Sequence, residues 1–377
     1  MVLWEVYRRL AERHSVLLLT PHLSESLIRS YSRNAPDYPL NFPVTRYNDM
    51  FTLMSIPGHR LFRGIIPPFS LSAVSAVRTA VRTFAPDVLN VHYTMPTGLA
   101  GAIADKIWGI PSVLTLNGRD VPGPGVPIFW KYWHRFAASF YSGITYVSEY
   151  CRDIIFGANG PGTVTWNGVD FEKVRIRPSG PCRERLGIPQ NARVLFSLQR
   201  LSREKRVDIV LKAMPRVLQS VPDCYLIIGG TGPDKGQLQA IARDLGITGQ
   251  VLFTDFIDDV SMNDYFNLCD VFLFHSTYET FGIVLAQAMA YAKPIVSVYN
   301  TAIPGVVKDR ENGILVPPFN PQRMADATIE LLKDNGLRTR MGNSGRARAQ
   351  QLFDWNIIAQ KYEAALEQAI AVKREKA

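Results

Sequence analysis

Two cations and one carboxylate stand where an α/β chain ordinarily meets a ligand. In SLQRLSREKRVDIVLKAM (197–214), Arg200 follows an apolar run, and Lys205 comes five residues later as a helical pattern begins. Two positive charges converging at a strand–helix junction suit a diphosphate, which accepts charge-assisted hydrogen bonds from both side-chain types. In VFLFHSTYETFGIVLAQAMAYAKPIVSV (271–298), a strand pattern ends at Ser276 and a polar turn carries Glu279. Thr280, Phe281 and Gly282 then lead into a helix from about Ile283. The first turn of a helix offers unpaired N–H groups and the positive end of its dipole, which suits phosphate or hydroxyl groups. Glu279 falls at the carboxyl end of its strand, where open parallel sheets bind ligands. The plainer alternative is that it caps the helix that follows. GGTGP (229–233), which includes Gly230, adds a Gly-rich turn after the next strand and is a weak signal by itself.

Other chemistries are disfavoured. Asp258 and Asp259 are adjacent and lack the alternate spacing of a metal-binding acidic pair. Cys151, Cys182, Cys224 and Cys269 are dispersed, too few for a disulfide scaffold and without the paired spacing of a zinc site. A nicotinamide oxidoreductase is disfavoured because no G-x-G-x-x-G follows an opening strand.

These residues need elements to hold them, and the pattern supplies strands in alternation with helices. VLLLT (16–20), DVLNVH (87–92), SVLTL (112–116) and GITYVS (143–148) read as strands in the first half. RVLFSL (193–198), CYLIIGG (224–230), QVLFTDF (250–256), VFLFHS (271–276) and PIVSVYN (294–300) read as strands in the second. Runs apolar on both faces, separated by helical patterns such as GLAGAIADKIWG (98–109), imply parallel sheets covered on both sides. The fold class is therefore α/β, with two doubly wound domains. Residues 175–192 are rich in Arg, Pro and Gly and lack apolar periodicity, which marks a boundary. The expected division is an N-terminal domain over 1–178, a linker over 179–190, a C-terminal domain over 191–354, and a closing helix over 355–377. That helix presents Ile357, Ile358, Tyr362, Leu366 and Ile370 on one broad face.

The 377 residues, 47% hydrophobic and 20% charged, are those of an ordinary globular protein of more than one domain. Residues 1–190 hold 20 Lys and Arg against 13 Asp and Glu, and the remainder holds 22 against 20. A basic first half points to anionic partners, among them acidic lipid headgroups. IFWKYWHRFAASFY (128–141) mixes large aromatics with Lys131, His134 and Arg135. It reads either as an interfacial helix or as a core helix with a basic outer edge. DMFTLMSIPGHRLFRGIIPPF (49–69) is similarly apolar and basic. The absence of a signal peptide and of an ~18-residue uncharged apolar run suggests a cytoplasmic protein, peripheral at most on the cytoplasmic membrane face.

Taken in order, these segments resemble the retaining nucleotide-sugar glycosyltransferases of family 4, which have the GT-B fold. The match includes PDVLNVHYTMPTGLAGAIADKIWGIPSVLTLNGRDVPG (86–123), NGVD (167–170), RLSREKRVD, IIGGTGP, ETFGIVLAQAMA, ENGILVPP (311–318) and FDWNIIAQKYE. The resemblance implies two Rossmann-like domains facing an interdomain cleft, with the acceptor on the first and a nucleotide-diphosphate sugar on the second. It implies that Arg200 and Lys205 hold the donor diphosphate. Glu279 matches the first carboxylate of the family's E-x7-E motif, and Thr280, Phe281, Gly282 and Ile283 lie beside it on the donor. Asn117, Gly118 and Asp120 match the H-G-x-D turn that faces the donor sugar, and His92 ends a strand at the same cleft. The family needs no metal and no cofactor beyond the donor, and nucleic acid is not a partner.

The sequence departs from the family at several points. Gln287 stands where the second carboxylate of E-x7-E belongs, so a charged grip on the ribose becomes a neutral one. Asn117 replaces the histidine of the turn, and Gly305 replaces a glutamate. The chain begins inside a helical pattern, LWEVYRRLAER (3–13), where a strand and a Gly-rich turn are expected; a truncated N-terminus is the corresponding expectation. The leading reading is a hexosyltransferase acting with retention on a glycan or lipid-linked acceptor. The alternative is a non-catalytic GT-B protein that binds a sugar nucleotide or a partner.

Overall fold

The computed structural model describes residues 2–21, 43–47, 69–118, 120–121, 123, 129–178 and 180–375. The apolar segment 49–68 lies outside the described residues. The chain forms two compact units, one of residues 1–167 with 355–377, the other of residues 168–354. Residues 168–178, expected at the end of the first domain, thus belong to the second unit. The expected linker also carries a helix of that unit, Gly180–Leu186.

The second unit is built on six parallel strands. These are β7 (Arg193–Leu198), β8 (Cys224–Gly229), β9 (Val251–Phe253), β10 (Val271–Leu273), β11 (Ile295–Val298) and β12 (Gly313–Val316). Their order across the sheet is β12-β11-β10-β7-β8-β9. The chain lays down three strands outward from β7, then returns to β10 on its other side and proceeds outward again. A doubly wound sheet has its topological switch point between the two strands where the order reverses, and a ligand crevice opens there at the carboxyl ends. Here those strands are β7 and β10, with Phe272 in register with Phe196. The sequence produces this because β7, β10 and β11 are buried along almost their whole lengths, so each needs cover on both faces. Rings of Phe196, Phe266 and Phe272 meet edge-on or tilted at 5.3–5.7 Å, and Tyr291 stacks on Phe266 at 4.9 Å.

The first unit has a parallel pair, β1 (Leu18–Pro21) with β2 (Val44–Tyr47), and a separate parallel sheet of four. The four are β3 (Leu89–His92), β4 (Ser112–Leu116), β5 (Gly143–Tyr146) and β6 (Thr163–Val164), in sequence order. Helix Leu71–Phe84 packs on β1, β2 and helix Gly98–Lys106, which itself lies on β3 and β4. The closing helix, Trp355–Arg374, packs on β4, β5 and helix Val2–Leu10. Its buried stripe is Trp355, Ile358, Ala359, Tyr362, Ala365 and Ala369. Ile357, Leu366 and Ile370, expected on that face, are only half-buried. Where the helix crosses β5, Ala369 packs on Gly143: a Cβ built there would lie 3.5 Å from that of Ala369, an ordinary contact distance.

Candidate functional site

Arg200 and Glu279 lie just beyond the carboxyl ends of β7 and β10, the two strands of the switch point. Lys205 ends a short 3-10 turn, Arg203–Lys205, before helix Val207–Ser220. Its ammonium is hydrogen-bonded to the Glu279 carboxylate, with both side chains partly exposed. Arg200 is exposed and, among the described residues, forms no ion pair. The site thus presents the Arg200 guanidinium and the Lys205–Glu279 pair at the carboxyl ends of two central strands. The Ser202 hydrogen bond, with the charges of Lys205 and Arg200, holds the neighbouring Glu204 carboxyl below its ordinary value.

Backbone bonds weld the loops that carry them. The turn Arg203–Lys205 offers the Glu204 carbonyl to Thr277 N at 2.8 Å and to Thr277 Oγ1 at 3.0 Å. The segment bearing Arg200 is laced to the GGTGP turn by Gln199 N to Gly229 O at 3.1 Å and Leu201 N to Thr231 O at 2.9 Å. Gly230 has φ +119, and a Cβ there would sit 2.0 Å from the Gln199 carbonyl oxygen. Its role is close backbone approach: it lets this turn press against the loop that aims Arg200.

Glu279 does not cap the following helix, Ile283–Ala290. The N-cap is Gly282, in the left-handed region at φ 83, with no side-chain cap bond. The N-cap residue itself thus offers no side-chain bond to the first turn. Thr280 and Ile283 are half-buried next to it. Phe281 is buried and its ring meets Phe353 edge-on at 5.2 Å, so its side chain anchors the loop in the core. Gln287 is half-buried on the same helix.

The first-unit candidates form a different arrangement. Asp120, on the turn expected to face the donor sugar, is 3% exposed. One oxygen accepts from Thr94 N at 2.9 Å and Thr94 Oγ1 at 3.0 Å, and the other from Asn117 N at 3.0 Å. Burial pushes this carboxyl up to about 6, against the lowering effect of those donors. Asp120 shapes the turn, which carries Asn117 and the half-buried Gly118. The Asn117 amide donates to His92 Nδ1 at 3.2 Å, which leaves the His92 proton on Nε2, 2.9 Å from the Tyr7 hydroxyl. Burial holds His92 down to about 3, so its ring is neutral at ordinary pH. His134, read as part of a basic edge, is buried, and its Nδ1 lies 2.9 Å from Thr94 Oγ1. The Thr94 hydroxyl gives its one proton to Asp120, so His134 donates to it. Tyr7, Thr94 and His134 were not legible as partners of the turn, because each lies tens of residues away in sequence.

The profile of Glycosyltransferase Family 4 matches residues 1–173, and that of Glycosyl transferases group 1 matches residues 181–348. The chain has the GT-B glycosyltransferase fold, as its likeness to solved structures shows. It is similar to Anabaena HepE in complex with UDP, with a TM-score of 0.76 and 22% identity over 97% of this chain and 95% of that one. It is similar to sucrose-phosphate synthase of Thermosynechococcus elongatus, with a TM-score of 0.75 and 19% identity over 97% and 92%. With both halves matched, the chain belongs to glycosyltransferase family 4. Among relatives, N-acetyl-alpha-D-glucosaminyl L-malate synthase of Bacillus anthracis is 26% identical over 95% of this chain and 91% of its own. The GDP-mannose-dependent alpha-(1-6)-phosphatidylinositol monomannoside mannosyltransferase of Mycolicibacterium smegmatis is 28% identical over 69% and 71%.

Proposed function

We propose that this glycosyltransferase moves a hexosyl group, with retention, from a nucleoside-diphosphate sugar held by the second unit to a hydroxyl of a glycan or lipid-linked acceptor taken by the first. The observation that carries the reading is the placement of Arg200 and of the Lys205–Glu279 pair beyond the carboxyl ends of the two switch-point strands. Arg200 and Lys205 bind the diphosphate, and Glu279 takes the sugar hydroxyls. In the transfer, the bond from the anomeric carbon to the diphosphate oxygen breaks and one to the acceptor oxygen forms on the same face. The acceptor proton passes to the departing diphosphate. Charge developing on that group is met by Arg200, Lys205 and the N-terminus of the helix that begins at Ile283. These groups supply the positive charge, so the reading is metal-independent.

Each charge-assisted contact contributes about 1.5–3 kcal/mol. Arg200→Ala or Lys205→Ala should therefore weaken nucleoside-diphosphate binding by about tenfold or more. Glu279→Gln should abolish most transfer and leave that binding intact or tighter, since it releases Lys205. Calorimetry on the double cation variant, with transfer assays over a panel of nucleotide sugars, is the test; unchanged affinity removes the diphosphate role. Gln287, neutral where a carboxylate is expected, favours the second reading of a sugar-nucleotide-binding protein without turnover. Binding without transfer across the panel would select it.

The acceptor side extends to a reversible membrane contact. Helix Phe129–Ala138 exposes Phe129, Tyr132 and Phe136 along one stripe, and helix Leu71–Phe84 exposes Arg78 and Arg82. Neither helix contains Asp or Glu. Aromatic rings beside cations suit an anionic lipid surface. Sedimentation with anionic vesicles should be strong at low salt and fall at high salt; equal binding to neutral vesicles, or none, overturns this. None of the described helices is long and apolar enough to cross a membrane.

A further inference from the structure

The loop between β10 and helix Ile283–Ala290 has no sheet ladder to define it, yet Glu279 stands in its middle. The backbone of Glu279 is held from one place. Its N–H donates to Thr301 Oγ1 at 3.0 Å, and its carbonyl accepts from Ala302 N at 3.3 Å. The preceding residues are held by the same segment, through Asn300 Nδ2 to Thr277 O at 2.8 Å and to Ser276 O at 3.3 Å. The chain beyond β11 therefore acts as a clamp over residues 276–279.

Thr301 is an unusual residue for this place. Its φ is +47, in the left-handed region that a β-branched side chain strongly disfavours. Glycine would adopt that conformation freely. Threonine does so here while its hydroxyl takes the Glu279 amide proton, a bond glycine cannot make. We infer that Thr301 is a positioning residue for Glu279: its hydroxyl fixes the backbone from which the carboxylate reaches Lys205 and the donor sugar. The inference rests on the reading of Glu279 as the sugar-hydroxyl ligand. A side chain that meets sugar hydroxyls is effective only when its geometry is preset, and a misplacement of about 1 Å can cost about a hundredfold in rate.

The test uses Thr301→Ser, which keeps the hydroxyl, Thr301→Val, which keeps the shape, and Thr301→Gly, which suits the backbone. Amide hydrogen exchange of the peptide containing Glu279 is read first. It should speed up by about tenfold or more in the Val and Gly variants and stay parental in Ser. The second readout is the ratio of nucleotide-sugar affinity to free nucleoside-diphosphate affinity. That ratio should fall by about fivefold or more in Val and Gly, with diphosphate affinity unchanged or tighter, because a displaced Glu279 loses the sugar contact and releases Lys205. Turnover should fall in parallel and be retained in Ser. Thr301→Gly keeps the test sharp, since a merely structural residue at φ +47 would be improved by glycine on every readout. Unchanged exchange, or an unchanged affinity ratio, in the Gly and Val variants overturns the inference. If the parent turns over no nucleotide sugar, the transferase reading fails, and the affinity ratio and exchange still decide the role of Thr301.

Discussion

Asp105 offers a measurable test of how the closing helix is attached to the first unit. Its carboxyl is fully buried. Oδ2 accepts from Ser112 N at 2.9 Å, Ser142 N at 2.8 Å and Ser142 Oγ at 2.7 Å. Oδ1 faces the Lys373 ammonium of helix Trp355–Arg374 at 3.0 Å. Burial alone raises this carboxyl, but the bonds from Ser142, Lys373 and Ser112 outweigh it and hold it below its ordinary value. Asp105→Asn retains an acceptor for the three Ser donors and removes the charge. A charge-assisted bond is stronger than a neutral one by about 1 kcal/mol, so the three Ser bonds and the Lys373 bond together lose about 4 kcal/mol. Recovered desolvation offsets part of this, leaving a net loss of about 2 kcal/mol. For a unit of roughly 190 residues that is a fall of about 4–8 °C in melting temperature. All six tryptophans, Trp4, Trp108, Trp130, Trp133, Trp166 and Trp355, belong to this unit, so intrinsic fluorescence follows its unfolding. Because the folded carboxyl sits below its unfolded value, the parent's advantage is present above about pH 4 and disappears as pH falls further. Denaturation curves of parent and variant that coincide at pH 7, or differ equally at pH 7 and pH 3, would refute the reasoning.

Three further outcomes are expected. Gly230→Ala drives a Cβ against the Gln199 carbonyl; by calorimetry it should weaken nucleoside-diphosphate binding about tenfold, while tryptophan fluorescence still reports a parental first unit. Asp120, pushed up to about 6, holds its proton where the unfolded chain has lost it. Its contribution should therefore favour the first unit most below about pH 4 and decline as pH rises to about 6, opposite in sign to that of Asp105. Urea midpoints of the parent at pH 4 and pH 7, compared with those of Asp120→Asn, measure it. Gln287→Glu should leave donor affinity unchanged or improve it; a tenfold loss in a binding titration would show that the neutral side chain is required.

Much of the second unit was legible because its signals are local. A strand that must be covered on both faces is written as a continuous apolar run, and RVLFSL and PIVSVYN need no distant partner to be read. The position of Arg200 and Glu279 at strand ends follows from the same runs, and the switch-point order of the sheet then brings them together. Non-local geometry was not legible. The sequence places Asp120 on a turn by its resemblance alone; that its carboxylate is held by Thr94 is decided by packing. His134 reads as a cation among cations until the helix register places it on the buried side. The closing helix's core stripe runs through Trp355, Ile358, Tyr362 and Ala369 rather than Ile357, Leu366 and Ile370, because the rotation of the helix on the sheet is set only by packing. Thr301 carries no sequence signal at all, since its hydroxyl has meaning only where the end of β11 meets the loop after β10. Hydrophobic periodicity specifies elements because each turn or pleat repeats its own rule. Buried hydrogen bonds specify a site only after the chain has closed, because each donor and acceptor must find its partner across tens of residues.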